Sequence, residues 1–495
     1  MFKRLFYALN NNKQFSRKVQ VLYYLSSVHS SVSIIELAEH VECSIPTLRS
    51  DIRELNEELP PYMRVESLGK NGYFLSYPEG LSIPKITMEL AKNTDVYKII
   101  DGLFHNEIYT FDELTYNLFI SPFTLKRTLS HINEELKQFN ISLSTSTVEF
   151  KGGESDIRYF FYAFYSDFND LTVTDPDYET NSPTYQLLLE TASNYNGKKL
   201  HLNYFRTTLW FMILKQRLST QNTLTIKTPY SIESKSLDNY QGFKTCVQQA
   251  FSDQFNLDDV SEDEIRWLYL IMLHCVSYSE LNYETFVFHR EVTDDFLKRV
   301  DNFLSLEFDA SIMSSAYIEN MRSFLINLRS LSQISPSFQK LSLATRIFTK
   351  ESINKFYLTW MEHLKTKHAQ DVFEITNTQD VASALAMLHF SLLSHLKQNE
   401  VKILFSFQGE PGYDDFLIQA TYFMIPHSTK PQYIFNEPIT FEKIKDNQID
   451  LVVANYDIPN SEDIPCPVVR LSYIPNLAEW THLRNLILDI ATHKS

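Results

Sequence analysis

The sequence lacks the glycine-rich loops and paired cysteines that mark several large classes of protein. Only ten of its 495 residues are glycine, and neither GxGxxG nor GxxxxGK[ST] occurs. We therefore expect no nucleotide-dependent chemistry, no cofactor and no enzymatic activity. The four cysteines, Cys43, Cys246, Cys275 and Cys466, include no CxxC pair. Their spacing predicts reduced thiols in a cytoplasmic protein and no metal site.

Long hydrophobic runs are also missing from the sequence. The densest run, WLYLIMLHCV, has about ten residues, which is too short to cross a bilayer. The basic start, MFKRLFYALNNNKQF, has too few apolar residues for a signal peptide. With 44% hydrophobic and 21% charged residues, the chain has the composition of a soluble globular protein. We expect a cytoplasmic protein with no membrane partner.

Negative charge is unevenly distributed along the chain. The formal net charge is −16, yet residues 1–153 carry 16 Lys+Arg against 18 Asp+Glu, which leaves −2 there and −14 on residues 154–495. An excess of negative charge repels nucleic acid. If this protein binds DNA, we expect its N-terminal third to do so.

That third contains an internal repeat. The stretch SIPTLRSDIRELNEEL, residues 44–59, agrees at seven of 16 positions with SPFTLKRTLSHINEEL, residues 121–136. Upstream, IIELAEHVECS aligns with FDELTYNLFIS at the same offset along the chain. Each copy predicts a short helix, a turn of about three residues and a longer helix. This is the helix-turn-helix arrangement, in which the second helix enters the major groove of DNA.

The longer helix of each copy has an apolar stripe and a polar face. The stripe of the first copy is Leu48, Ile52, Leu55 and Leu59, at helical spacing. We predict that DNA is contacted by small polar and basic residues on the opposite faces and at one hairpin tip. These are Ser44, Thr47, Arg49, Ser50, Arg53 and Lys70 in the first copy and Ser121, Thr124, Lys126, Arg127, Ser130 and His131 in the second. The equivalent cations Arg49 and Lys126 are the first candidates.

A β-rich stretch follows each copy. In MRVESLGKNGYFLSYP, Asn71-Gly72 separates two alternating strands, which is a strong hairpin signal, and ISLSTSTVEFKGG repeats the pattern more weakly. Each module is therefore predicted to be a winged helix-turn-helix. The alternative is that both helix pairs are only structural, and the glutamates that crowd the later turns of both helices favour that alternative.

Residues 154–397 are rich in helical patterns and poor in glycine and proline. TVTDPDYETNSPT, residues 172–184, is predicted to be an exposed loop. EIRWLYLIMLHCVSYS and DVASALAMLHFSLLSH share Met-Leu-His, ending at His274 and His389, and HLNYFRTTLWFMIL weakly matches YIENMRSFLINLRS. These internal matches predict two tandem helical domains of similar size. A histidine on an apolar helix face is more often a core residue than a functional one.

The C-terminal part of the chain alternates short apolar strands with helices. VKILFSF, PQYIFN, IDLVVANY and CPVVRLS are the predicted strands, with YDDFLIQATYFMI and LAEWTHLRNLILDIATH as helices. Such alternation predicts a small parallel-sheet α/β domain.

This order of modules resembles the Mga/AtxA group of virulence regulators from Gram-positive bacteria. The resemblance implies that the middle domains are phosphotransferase-system regulation domains, whose histidines accept phosphate from the phosphocarrier protein. His201, His274 and His389 would then be phosphorylation sites. The second domain has Tyr317 where the first has His201, which leaves it one candidate site; His363 and His368 are nearby alternatives.

The resemblance extends to the C-terminal domain, which is similar to the IIB component of sugar phosphotransferases. In the family such tails serve dimerisation. Active IIB enzymes carry a cysteine just after the first strand, but the loop here reads SFQGEPG. We therefore expect an interaction domain that carries out no phosphotransfer.

Taken together, the sequence predicts a multidomain, mainly α protein. The expected domains are two winged helix-turn-helix modules at 1–82 and 83–153, two regulation domains at 154–284 and 285–398, and a IIB-like α/β domain at 399–495. The predicted function is a transcriptional regulator, an activator of virulence or carbohydrate-linked genes. Its partners would be double-stranded DNA, the phosphocarrier and a second copy of the chain. An RNA-binding antiterminator and a phosphotransferase component are the alternatives.

Overall fold

The computed structural model divides the chain into two compact units, Met1–Ala386 and Met387–Ser495. Within them it describes the following residues: 5–28, 30–69, 72–78, 80–107, 109–168, 171–195, 198–199, 201–224, 237–278, 293–315, 318–396, 401–409, 412–426, 429–437, 439, 444, 448–458 and 464–493. No helix in these ranges is both long and apolar enough to pass through a bilayer.

The first module of the N-terminal unit is a helix-turn-helix followed by a hairpin. Its elements are α1 Leu5–Leu9, α2 Lys13–Val28, α3 Ile34–His40, α4 Ile45–Glu58, β1 Arg64–Ser67 and β2 Tyr73–Ser76. The stripe predicted on α4 is buried, because Leu48 and Leu55 are fully covered. The antiparallel strands β1 and β2 form the predicted wing, and Val32 bridges to Tyr73 on its outer edge.

The second module repeats this architecture further along the chain. Its elements are α5 Ile83–Lys92, α6 Asp95–Phe104, β3 Tyr109–Thr110, α7 Phe111–Asn117, α8 Pro122–Leu136, β4 Ser142–Leu143, β5 Thr147–Val148 and β6 Phe150–Lys151. Strand β3 pairs with β5 and β4 with β6, both antiparallel. The pair of Tyr109 with Val148 repeats the bridge between Val32 and Tyr73. The prediction of two N-terminal helix-turn-helix units, each followed by a hairpin, is confirmed.

A helical region follows. Its first part contains α9 Glu154–Ser166, α10 Tyr178–Ser193, β7 Asn194–Tyr195, β8 Lys198–Lys199, α11 Tyr204–Ser219, α12 Leu237–Phe255 and α13 Glu262–Cys275. Its second part contains α14 Asp294–Leu304, α15 Ala310–Met313, α16 Glu319–Ile334, α17 Leu343–Ser352, α18 Asn354–His363, α19 Lys367–Val372 and α20 Thr378–Leu396. Helix α20 extends across the boundary between the two compact units.

The prediction of an exposed loop at 172–184 is wrong. Helix α10 already begins at Tyr178, and Asp175 is buried just before it. The Asp175 carboxylate accepts hydrogen bonds from Tyr185 at 2.6 Å and from Asn181 and Lys215 at 3.0 Å each. These partners compensate the buried charge, and Lys215 lies far from it in the sequence, on a different helix.

Helix α9 lies between the second module and the helical region. On one side, the ring of Phe160 is 5.4 Å from that of Phe139, and the ring of Phe161 is 4.9 Å from that of Phe104. On the other side, Tyr159 meets Phe338 edge-on at 4.8 Å. One apolar core therefore continues from Phe6 in the first module to Phe338.

A buried ionic network fixes the position of α9. The Arg158 guanidinium donates to both oxygens of Glu264 on α13, at 2.6 and 3.0 Å, and neither side chain is exposed. Arg158 also bonds to Glu154, which in turn accepts from Arg217 on α11 at 2.9 Å. Breaking such a pair leaves a buried charge without compensation. The network therefore ties α9 to two helices of the helical region.

The second unit contains a four-stranded parallel sheet. Its elements are β9 Val401–Phe407, α21 Tyr413–Met424, β10 Thr429–Phe435, β11 Leu451–Ala454, β12 Val468–Arg470 and α22 Leu477–His493. The strand order is β10-β9-β11-β12, with all three pairings parallel. Both helices pack on one face of the sheet, where Leu417 and Leu483 are fully buried. The prediction of a small parallel α/β domain is confirmed.

Candidate nucleic-acid interface

Both recognition helices, α4 and α8, begin with the same cap. Ser44 accepts a hydrogen bond from the Thr47 amide at 3.3 Å, and Ser121 accepts one from the Thr124 amide at 3.1 Å. In both, the two hydroxyls also lie 2.8 Å apart. A proline stands in the first turn, where an amide donor would have no helical partner. The duplicated sequence therefore sets the start of each helix at the same residue.

The turn before each recognition helix contains one residue with left-handed backbone. Glu42 and Phe119, which occupy equivalent positions of the repeat, both have φ near +54°. The next amide bonds back to the preceding helix: Cys43 to the Ala38 carbonyl at 3.0 Å and Ile120 to the Thr115 carbonyl at 3.3 Å. Because neither left-handed residue is glycine, the sequence carried no composition signal for this conformation.

An asparagine ties the wing to each recognition helix. Asn56 accepts from the Val65 amide at 2.8 Å and donates to the Val65 carbonyl at 2.9 Å. Asn133 makes the same two bonds to Leu143, at 2.6 and 3.1 Å. Asn56 and Asn133 occupy equivalent positions of the repeat. The repeat could have shown that they matter, but their strand partners could not be read from the aligned segment.

Most predicted contact residues lie at the surface. Ser44, Arg49, Arg53, Ser121, Thr124, Lys126, Arg127 and Ser130 are exposed, and Thr47 and Ser50 are half-buried. Ser50 donates to Glu54 at 3.3 Å. Among the described residues, none of the four cations on these two helices has a carboxylate within ion-pair distance. Their positive charge is available to a phosphate or a base.

Two predicted residues do not join this surface. His131 was expected to point outward, but it is half-buried, and its Nε2 lies 2.7 Å from the Ala8 carbonyl oxygen. That partner belongs to α1, which precedes the repeat, so the alignment of the two copies could not show it. Lys70, predicted at the wing tip, lies outside the described residues.

Basic residues of α2 pair with carboxylates of the first recognition helix, α4. Asp51, with a side chain only 2% exposed, pairs with Arg17 on α2 at 2.6 Å. Lys18 on the same helix pairs with Glu58 at 2.8 Å and with Glu54 at 3.4 Å. These acids therefore join α4 to α2.

The predicted histidines occupy different environments. His274 lies among aromatic rings, with those of Tyr162 and Phe338 at 5.0 and 5.3 Å. Its Nδ1 accepts from the Trp210 indole at 3.1 Å. Burial, together with the charge on Arg206, holds the pKa of His274 well below its ordinary value, so its imidazole is neutral at pH 7.

His201 is exposed and His389 is buried. The structure brings His201 near the end of the helix that carries His274. The Ser277 amide donates to the His201 carbonyl at 2.9 Å, and Leu202 bridges to Val276. His389 lies on α20, in the second compact unit. Of the two alternatives, His368 is exposed, and His363 lies 2.9 Å from Glu307.

Comparison with known proteins identifies both N-terminal modules. Residues 17–74 match the model of an HTH domain, and residues 79–165 match that of the Mga helix-turn-helix domain. Both modules therefore belong to the class of helix-turn-helix regulators.

Known relatives extend the similarity to nearly the whole chain. A protein of Streptococcus pneumoniae serotype 4, provisionally named a trans-acting regulator, is 20% identical over 490 residues, which cover 94% of this chain and 95% of that protein. The anthrax toxin expression trans-acting positive regulator of Bacillus anthracis is 19% identical over 504 residues, covering 96% and 98%. The capsule synthesis positive regulator AcpA of the same organism is 24% identical over 193 residues, or 39% of each chain.

The resemblance to the Mga/AtxA group is confirmed, because the second module matches the Mga helix-turn-helix domain and regulators of this group are similar to the chain over nearly its whole length. All three relatives are named as regulators.

Replacing Asn133 with alanine should loosen the second wing and leave the first intact. The Leu143 amide would lose its acceptor, and an unsatisfied amide costs about 1–3 kcal/mol. We expect faster hydrogen exchange at residues 142–151 in Asn133→Ala. Asn56→Ala is the matched control, because it should accelerate exchange only at the first wing. Unchanged exchange in both wings would contradict this role of the asparagines.

Proposed function

We propose that this protein is a transcriptional activator that binds duplex DNA through two winged modules in a single chain. One observation carries the proposal: α4 and α8 begin with the same Ser–Thr cap and place an exposed cation, Arg49 or Lys126, at their fifth residue. The first turns of the second helix in this motif approach base edges and phosphates. A structural helix pair would have no need to duplicate an exposed cation.

Activation and cellular location form part of this proposal. Two of the relatives described above are named positive regulators, one of anthrax toxin expression and one of capsule synthesis. We extend positive regulation, but not these targets, to the present chain. A regulator that binds the bacterial chromosome works in the cytoplasm, where the four cysteines would stay reduced.

An RNA-binding antiterminator fits the structure less well. Such a protein would need a small β-type head that binds RNA. The N-terminal modules instead present helices, which fit the wide major groove of B-DNA, whereas the major groove of A-form RNA is too narrow for them.

Phosphorylation by the phosphotransferase phosphocarrier is the regulatory part of the proposal. His201, His274 and His389 are the proposed acceptors, and His201 is the first candidate because it alone is exposed. Arg206, in the first turn of α11, donates to the His274 carbonyl at 2.8 Å. The cation of Arg206 therefore lies beside the end of the helix that carries His274, where His201 also lies. A phosphoryl group would add roughly −1.5 to −2 charges there, enough to rearrange packed helices.

Self-association through the C-terminal unit completes the proposal. Phe416 and Phe423 are 55% and 85% exposed on α21. Because they are two helical turns apart, they lie on the same face of the helix. Exposed aromatic pairs of this kind favour burial against a partner. We propose that a second copy covers this face, as the IIB-like assignment implies.

DNA binding is tested by removing the two cations. A duplex selected from a random-sequence pool by the native chain would be labelled, and its anisotropy followed across a salt series. Loss of a base or phosphate contact costs about 1–3 kcal/mol, so Arg49→Ala and Lys126→Ala should each weaken binding about tenfold. The two cations lie on different recognition helices, so we expect their effects to add and the double variant to lose about a hundredfold.

Lys365→Ala is the matched control for this experiment. It removes an exposed lysine of the helical region, where a Glu362 carboxylate already pairs with it. We expect unchanged affinity. If only one of Arg49→Ala and Lys126→Ala had an effect, binding through both modules would be wrong. If the native chain selected no duplex even at low salt, the whole DNA-binding proposal would fail.

Phosphorylation is tested by transfer of labelled phosphate from phosphoenolpyruvate through purified enzyme I and phosphocarrier. We expect acid-labile, alkali-stable label on the native chain and a clear reduction in His201→Ala, because that imidazole is the accessible one. His482→Ala, at an exposed histidine of α22, serves as control and should keep the full label. Absence of label on the native chain would remove this part of the proposal.

Self-association is tested by sedimentation velocity. Phe423→Glu places a charge within the proposed interface and should convert the dimer to a monomer. Leu358→Glu makes the equivalent change at an exposed position of α18, 54% exposed, and should leave the dimer intact. A native chain that sediments as a monomer at all concentrations would contradict the proposal, as would a dimer that tolerates Phe423→Glu.

A further inference from the structure

Three exposed aromatic residues surround the start of the second recognition helix. Tyr116 is 77% exposed, Phe119 88% and Phe123 77%. Tyr116 lies in the last turn of α7, Phe119 lies in the turn between the helices, and Phe123 is the second residue of α8. The rings of Tyr116 and Phe119 are 6.2 Å apart. We call these three residues the aromatic edge of the second module.

The first module has no such edge. Its equivalent residues, at the aligned positions of the repeat, are Glu39, Glu42 and Pro46. The backbone is the same in both modules, with φ near +54° at Glu42 and at Phe119. The helical framework therefore does not require aromatic residues at these positions. Large aromatic side chains clustered in solvent are costly, and such clusters commonly mark a binding surface.

The charge around the aromatic edge favours DNA as the occupant. Residues 114–133 contain no Asp or Glu, whereas the equivalent residues 37–56 contain four. Lys126 and Arg127 are exposed, and among the described residues neither has a carboxylate partner. Asp112 and Glu113 lie one turn before Tyr116, at the other end of α7 from the recognition helix. The part of the aromatic edge that borders Lys126 and Arg127 is therefore complementary to a nucleic acid.

The position of Phe123 on α8 determines which part of the DNA its ring contacts. Its ring stands one residue before Thr124 and three before Lys126, both candidates for contact with DNA. In helix-turn-helix complexes the N-terminal residues of the second helix contact base edges, so a duplex bound by the first turns of α8 would bring this ring to the major groove. In the major groove, the C5-methyl group of thymine is the apolar group on the base edges, and phenylalanine is among the residues that contact it.

We propose that Phe123 contacts thymine methyl groups in the major groove. Phe119 and Tyr116 extend this apolar contact along the adjacent DNA strand. The second module then selects thymine by shape and apolar contact, while the first module relies on Arg49 and Arg53. This inference rests on the proposed DNA-binding function and specifies the kind of base that the second module recognises.

The test replaces thymine by uracil, which removes only the methyl group and keeps base pairing. In the duplex selected by the native chain, each thymine would be replaced in turn and the affinity measured. Burial of one methyl group contributes enough for about a fourfold change in affinity. We expect the native chain to lose about fourfold at one or two thymines. Phe123→Ala should bind the thymine and uracil duplexes with equal affinity.

Two control variants separate this effect from general loss of binding. Lys126→Ala should weaken binding to both duplexes by the same factor and keep the thymine preference. Pro46→Ala changes the equivalent residue of the first module and should also keep it. Phe119→Asn removes a ring while retaining a residue that tolerates positive φ, and it should weaken binding without unfolding the turn.

The remaining outcomes are distinct. Equal affinity of the native chain for all thymine and uracil duplexes would overturn the inference while leaving DNA binding intact. A thymine preference that persists in Phe123→Ala would also overturn it. If Phe123→Ala or Phe119→Asn changed the sedimentation of the free protein instead of its DNA affinity, the aromatic edge would be a protein interface. Failure of the native chain to select any duplex would overturn the proposed function itself.

Discussion

The buried pairing of Arg158 with Glu264 is the constraint on which the position of α9 depends. A guanidinium without solvent exposure needs its carboxylate, and Glu264 also accepts from the Leu224 amide at 2.7 Å. The pair thus joins α9 to α13 and to the segment that follows α11. Because the opposite side of α9 packs on Phe104 and Phe139, the same helix positions the second module. The DNA-binding modules and the helical region therefore cannot shift independently without exposing this charge pair or opening the aromatic core.

Duplication of the module preserved its framework and changed its surface. The caps, the left-handed conformation in the turn and the asparagine that holds the wing are the same in both copies, since each is required by the backbone. The first copy differs in using α2 to compensate Asp51 and Glu58. The second copy carries no acidic residue between Glu113 and Glu134 and exposes aromatic rings instead. Identical scaffolds with different surfaces suit one chain that contacts two unlike stretches of one DNA site.

Local patterns in the sequence were enough to predict the elements of the fold, while partners distant in the sequence were not. Repeated caps and apolar stripes predicted α4 and α8, and alternation predicted the parallel sheet, because these signals reside within a few residues. Burial of Asp175 depends on Lys215, and the inward position of His131 depends on the Ala8 carbonyl. A polar residue is predicted to be exposed when the partner that allows its burial lies far away in the sequence. For the same reason, the exposed residues of the recognition helices could be predicted, but the exposure of Phe119 and Phe123 became apparent only in the structure.

His274 on α13 is joined to α11 by a hydrogen bond from Trp210 and to α9 by ring contacts with Tyr159 and Tyr162. The indole of Trp210 can only donate, so Nδ1 of His274 must be unprotonated and the proton must reside on Nε2. Neither nitrogen can then accept a phosphoryl group in this arrangement. Attack by Nδ1 breaks the bond to Trp210, and attack by Nε2 requires the proton to leave or to move to Nδ1. Phosphorylation of His274 thus requires loss of the bond to Trp210, which holds the ring in its aromatic surroundings. Those surroundings include Tyr159 and Tyr162 of α9, so a phosphate that reached this histidine would act on the helix that positions the second module.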